Sequence, residues 1–124
     1  MAEHTNATIV RTMNDAMASG DMETAASYVA DDVVWHEIGA AEPVRGKANL
    51  AARMANEAGT DIKWDVHDVL ASDDHAIALG TATATRGGRS LTYRTAEIYH
   101  VRDGQITERW AFSDDTQAII DFFA

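Results

Sequence analysis

Apolar residues recur at helical spacing in the first half of the chain and at every second position in the rest. From Thr5 to Ser19, Ile9, Met13, Ala16 and Met17 share one helical face. Gly20 stops that segment, and Asp21 can cap a second helix with Met22, Ala25, Ala26 and Val29 on its buried side. Asp31 and Asp32 break the pattern, and Val33 to Ile38 reads as a short strand. Gly39 to Gly46 is a loop around Pro43, the only proline. Lys47 to Ala58 predicts a third helix with Leu50, Ala51 and Met54 on one stripe, stopped by Gly59.

Beyond Gly59 the period changes to two. Ile62, Trp64 and Val66 alternate with Lys63, Asp65 and His67. Ser72-Asp73-Asp74 is a turn, and His75 to Thr85 is a strand rich in Ala and Thr. Gly87-Gly88 and Asp103-Gly104 are hairpin turns bracketing a long strand from Leu91 to Val101. Gln105 to Ser113 is the last strand. A closing helix carries Ile119, Ile120, Phe122 and Phe123, with Asp114 and Gln117 spaced as a capping box. This order predicts one α+β domain over residues 1–124. A strongly curved antiparallel sheet would wrap its helices and leave one internal pocket, open at one end.

Charge narrows the partners. A net charge of −10 with only 10 Lys and Arg leaves no basic stripe for nucleic acid and disfavours an anionic membrane. With no cysteine, disulfides, thiolate catalysis and Cys-based zinc sites are excluded. The five histidines show no metal-ligand spacing, and no Walker loop, GxSxG or dinucleotide fingerprint occurs, so neither metal nor cofactor is expected. The opening MAEHTNATIV lacks the basic and apolar regions of a signal peptide, and a cytoplasmic protein is expected.

Gly20-Asp21, Ala30-Asp31-Asp32-Val33-Val34-Trp35-His36-Glu37 and Arg45-Gly46-Lys47 together resemble the SnoaL-like branch of the nuclear transport factor 2-like superfamily. The stretch from Tyr99 to Trp110 is similar to that family's last hairpin. The resemblance implies a cone-shaped, cystatin-like barrel. It also implies relatives that include ketosteroid isomerases, polyketide cyclases, limonene epoxide hydrolases and dehydratases. The isomerases keep a general-base Asp where this chain has Glu37. A carboxylate beside an apolar pocket is suited to that role, because desolvation raises its pKa. His36 is the rival proton carrier. Alternation sets the two on opposite faces unless the strand bends near Gly39.

On the long strand, Arg94 matches the isomerases' protonated Asp, and is expected in the pocket with Thr92, Ala96 and Ile98. There it would stabilise an oxyanion or pair with Glu37. Met13 matches their phenolic donor and cannot donate. Ala111 matches the Asp that the cyclases and epoxide hydrolases use, with Arg109 and Ser113 on its face. Trp35 and Trp64 are expected to line the pocket, and Phe112 or Trp110 would join them according to register. Gly80, Ala82, Ala84 and Ala96 would leave it volume or mark tight packing. Tyr93, Thr95, Glu97 and Tyr99 are then left for the outer face, a surface expected to form a homodimer.

Three functions follow. The first is a cofactor-free acid/base enzyme, of isomerase, cyclase or dehydratase (lyase) type, working on a small, largely apolar molecule. Glu37 or His36 would move the proton, Arg94 or Arg109 would steady developing charge, and Trp35 and Trp64 would hold the substrate. The second is a non-catalytic binder of such a molecule, and the third an epoxide hydrolase of the limonene type.

Overall fold

The computed structural model describes residues 3–56 and 60–124. The first helix, α1, spans Thr5–Ser19, and Gly20 ends it in the left-handed region at φ 81°. The second, α2, spans Met22–Ser27, with the Asp21 side chain accepting the Thr24 N–H. Strand β1 (Val29–Trp35) begins earlier than periodicity suggests. Val29, expected on the buried side of α2, pairs instead with Ile106, and the Ile106 N–H donates to the Tyr28 carbonyl at 2.7 Å.

After the two-residue β2 (Val44–Arg45), α3 is described over Lys47–Asn56; its expected end at Ala58 and Gly59 lies outside the described residues. The long strands follow as β3 (Asp61–Ala71), β4 (His75–Arg86), β5 (Arg89–Arg102) and β6 (Gln105–Ser113), and α4 (Thr116–Phe123) closes the chain. Both predicted hairpin turns form with successive positive φ values, at Gly87-Gly88 and at Asp103-Gly104. Asp115, rather than Asp114, caps α4 by accepting the Ala118 N–H, while Asp114 accepts the Arg94 N–H.

The six strands form one curved, unclosed sheet in the order β2-β1-β6-β5-β4-β3. Its neighbours are antiparallel with one exception: β1 runs parallel to β6. No hairpin joins that pair, and its backbone ladder is short, interrupted between Val29 and Val34.

All four helices contribute apolar side chains to one face of the sheet. Val10 and Met13 of α1 are fully buried there with Val33, Tyr99 and Ile106. Side chains of this size contribute about 1.5–3 kcal/mol each on burial. The start of α1 is tied to the β3–β4 turn, because Asn6 Nδ2 donates to the carbonyls of Ser72 and Asp73 at 2.9 Å. A second apolar cluster lies toward the other end of the strands, where Ile119 and Phe122 of α4 cover Ala82, Ala84 and Tyr93. Arg86 and Arg89 donate to the carbonyls of Phe123 and Phe122, satisfying the end of α4. Among the described residues no helix is long and apolar enough to cross a membrane.

The small residues on β4 serve packing. The Trp64 indole lies over Gly80 and donates from Nε1 to Thr95 Oγ1 at 2.8 Å, and α4 covers Ala82 and Ala84. A Cβ at Gly80 would sit 2.5 Å from Trp64 Nε1 and 2.8 Å from the Asp65 carbonyl. Gly80→Ala is therefore expected to cost about 1–3 kcal/mol in urea unfolding through overpacking. An unchanged midpoint would contradict the role of Trp64 as the filler of this space.

Candidate functional site

Between the two apolar clusters the inner face carries a polar band. Its centre is Arg109 on β6, opposite Tyr99 and two residues along the strand from the Glu97–Ala111 pair. Both Nε and Nη2 of Arg109 donate to Glu97 Oε1, Nε at 2.8 Å. Nη1 donates to the His36 carbonyl at 3.0 Å, and the guanidinium lies 4.7 Å from the Trp35 ring centroid. The His36 N–H returns a bond to the Arg109 carbonyl at 2.8 Å. The two charged side chains are 13% and 8% exposed, so the pair is shielded from water. Burial works against the Arg109 charge, but the Glu97 carboxylate, then Tyr99 and Glu37, outweigh it and hold the guanidinium more firmly protonated than usual.

Tyr99 is wholly buried beside this pair. Burial pushes its phenol far above the usual tyrosine range and Glu97 adds to the rise, while Arg109 and Asn14 offset part of it. Asn14 turns its side chain inward from α1, where Nδ2 is buried without a hydrogen bond of normal geometry among the described residues. At the edge of the band Glu37 meets Arg53 of α3, with Nε 2.9 Å from Oε1. Their side chains are 24% and 52% exposed, so this second pair faces solvent.

Several expected positions lie on the inner face. Trp35 is buried there against Arg109 and Tyr99, and Trp64 spans both apolar clusters. By strand register Ala111 and Ser113 share the face of Glu97 and Thr95. Glu37 follows Trp35 by two residues and lies close enough to act on Arg109. Met13 is sealed in the first apolar cluster.

Other positions are corrected. Arg94 is on the outer face, exposed, with Thr92, Ala96 and Ile98 on the same side of β5. Tyr93, Thr95, Glu97 and Tyr99, expected outside, are buried on the inner face. His36 also faces outward, bonded to Glu108 at 2.7 Å and stacked on Trp110. Phe112 is outside as well, opposite Ala96.

The physical reason is a bulge. A plain hairpin closed by Asp103-Gly104 would set Ile98 opposite Arg109. Val101 does pair with Ile106, but His100 pairs with Glu108, leaving Thr107 as an extra residue and bringing Tyr99 opposite Arg109. One residue of shift exchanges the faces. The strand pattern offers no warning, since both faces of β5 carry apolar residues. Glu97, Tyr99, Arg53 and Asn14 were missed for this reason or because they lie on helices. The signal available was the pair of aromatics Tyr93 and Tyr99 on one side of β5, the bulkier side to bury.

An unfolded tyrosine ionises near pH 10. Above that pH the unfolded chain releases a proton that buried Tyr99 retains, so stability falls as pH rises, by up to about 1.4 kcal/mol per pH unit. Tyr99→Phe removes this contribution. The variant is expected to lose less stability than the parent between about pH 10 and pH 11 in urea titrations; equal alkaline slopes would contradict the burial of the phenol.

The comparisons with known proteins agree with this architecture. The pattern of the SnoaL-like domain matches residues 10–109. Bal32a, from a soil-derived mobile gene cassette, is 28% identical with a TM-score of 0.86, covering 97% of each chain. An epoxide hydrolase of M. tuberculosis resembling the limonene enzyme is 19% identical over 96% of this chain and 86% of its own, with a TM-score of 0.79. TerC, co-crystallised with polyporic acid, is 18% identical over 97% and 96%, with a TM-score of 0.80. The last two share the fold. No curated protein matches the sequence. The chain, matched over most of its length, belongs to the SnoaL-like domain family.

Proposed function

We propose that the protein binds a small, largely apolar molecule against the polar band of the inner face, without acting on it. One observation carries this reading: each inner-face carboxylate of the band is matched by a guanidinium, Glu97 by Arg109 and Glu37 by Arg53. A carboxylate whose oxygen is already taken by guanidinium donors is not free to reach a substrate proton. Apolar side chains of the two clusters flank the band, and the half-buried Trp64 between them would offer indole surface to a flat or cyclic molecule. The partner proposed for the outer face is a second copy of the chain.

A second reading is general acid/base catalysis by Glu37. It is favoured by the exposure of the Glu37–Arg53 pair, which an incoming substrate could part, leaving the carboxylate beside Trp35. Arg94 and His36, on the other side of the sheet, take no part in either reading. The limonene type of epoxide hydrolysis has the least support, since Ala111 supplies no carboxylate on the last strand.

The apolar dye anilinonaphthalene sulfonate is a suitable probe. Ala111→Leu is expected to weaken its uptake by roughly tenfold, a loss of about 1.4 kcal/mol, while Glu37→Gln leaves uptake nearly unchanged. Equal uptake by Ala111→Leu and the parent would sink the proposed site. Turnover of a small enolisable ketone that Glu37→Gln abolishes would replace binding by catalysis.

A further inference from the structure

The sheet face away from the helices is arranged in rows across the strands. His36, Glu108, His100 and His75 form one row, from the end of β1 over β6 and β5 to β4. Register sets His100 opposite both Glu108 and His75, and His36 Nε2 reaches Glu108 Oε2 at 2.7 Å. Their rings touch. His36 stacks on Trp110 with centroids 4.9 Å apart, and His100 meets Trp110 edge-on at 4.7 Å and His75 at 4.5 Å. The next row is apolar: Trp110, Ile98, Ile77 and Leu70 lie in register across four strands. The row after it adds Phe112, Ala96 and Leu79. Phe112 and Leu70 are 55% and 52% exposed, so nothing among the described residues covers them.

The occupant is argued from charge and size. In a chain of net charge −10, the one ionisable group in register with these two rows is Asp68, opposite Leu79 at the β3 margin. Two copies of so acidic a chain meet with least repulsion across a face this poor in charge, whereas a basic partner would find only the marginal Asp68 in those rows to pair with. Six strands about 4.8 Å apart make the sheet about 24 Å across between its outer strands. With β5 contributing 14 residues along its length, the face exceeds the roughly 800 Å² per partner of a standard interface.

We propose that protonation of the histidine row switches self-association through this face, giving paired chains near neutrality and separate chains in mild acid. The inference rests on the homodimer reading above. The row holds three imidazole side chains and one carboxylate side chain. A first proton on His36 is matched by Glu108. Protons on His100 and His75 share what remains of that carboxylate, whose Oε1 is 4.0 Å from His100 Nδ1.

The other charged groups near them, Asp74 and Arg102, line a surface hollow of about 390 Å³ with both histidines and are of opposite sign. His36 faces Glu108 and the uncharged Trp110. Closing two copies over the row would therefore take adjoining imidazolium groups out of water without enough carboxylate to match them. Acid also lowers the net negative charge, which by itself favours association. That long-range effect is screened within about 8 Å at physiological salt, so the charges in the interface decide the sign.

Histidine changes charge between about pH 5 and 8. Sedimentation velocity at physiological salt, at about pH 7.5 and about pH 5.5, therefore spans the transition and stays above the chain's pI of 4.7. The parent is expected to be dimeric at the higher pH, with a dissociation constant at least roughly tenfold weaker at the lower. His75→Gln with His100→Gln should flatten that difference. His100→Lys, with its fold verified by circular dichroism, should weaken the dimer already at the higher pH. If the Lys variant does not fold, the double Gln variant decides. A parent that is monomeric at the higher pH overturns the homodimer and the switch together. A dimer of equal affinity at both pH values, or an unchanged pH difference in the double Gln variant, overturns the switch and leaves the dimer standing.

Discussion

The guanidinium of Arg109 joins parts of the chain that no turn connects. It holds Glu97 on β5 through two donors, the His36 carbonyl at the end of β1 through a third, and the face of Trp35. Among the described residues β1 and β6 form the one parallel pair, and its regular pairing is confined to Val34 and Trp35 beyond a break at Val29. The arginine thus anchors an edge whose backbone ladder is short. Taking two charges out of water is costly. It is tolerable here because the guanidinium spends its donors on fixed acceptors and its face on an indole.

This anchoring also sets the character of the inner face. With Arg109 and Glu97 committed to each other, the groups left to meet a visiting molecule are chiefly ring faces, small side chains and the solvent-facing Glu37–Arg53 pair. The two apolar clusters are joined mainly by Trp64 across this band. The ligand proposed above, with apolar bulk and little charge, is the kind such a face would suit. The fold is shared with an epoxide hydrolase and with a protein co-crystallised with polyporic acid, so the arrangement of these side chains, rather than the architecture, has to carry the functional reading.

The fold was largely legible in the sequence because its signals are local. Gly20 and Asp21 punctuate the first two helices, and Gly87-Gly88 and Asp103-Gly104 form the turns their chemistry demands. The site was only partly legible, because it depends on which way each strand faces. Trp35, Ala111 and Ser113 lie on the inner face. Arg94 and Glu97 were exchanged, since the bulge at Thr107 shifts the register by one and leaves no mark in an alternating pattern. The small residues of β4 were ambiguous for another reason. Whether Gly80 and Ala82 leave a void depends on Trp64 and α4, which come from distant parts of the chain.

A double-mutant cycle on Glu97 and Arg109 tests the anchoring role most directly. Glu97→Gln and Arg109→Gln each leave a buried charge without its partner, while the double variant leaves none. Urea unfolding should show two strongly destabilised single variants and a double variant far less destabilised than their sum. The predicted coupling is at least about 1.5 kcal/mol, within the range seen for residues in contact. Additive effects, with coupling near zero, would contradict the account and make the pair a bystander to the pairing of β1 with β6.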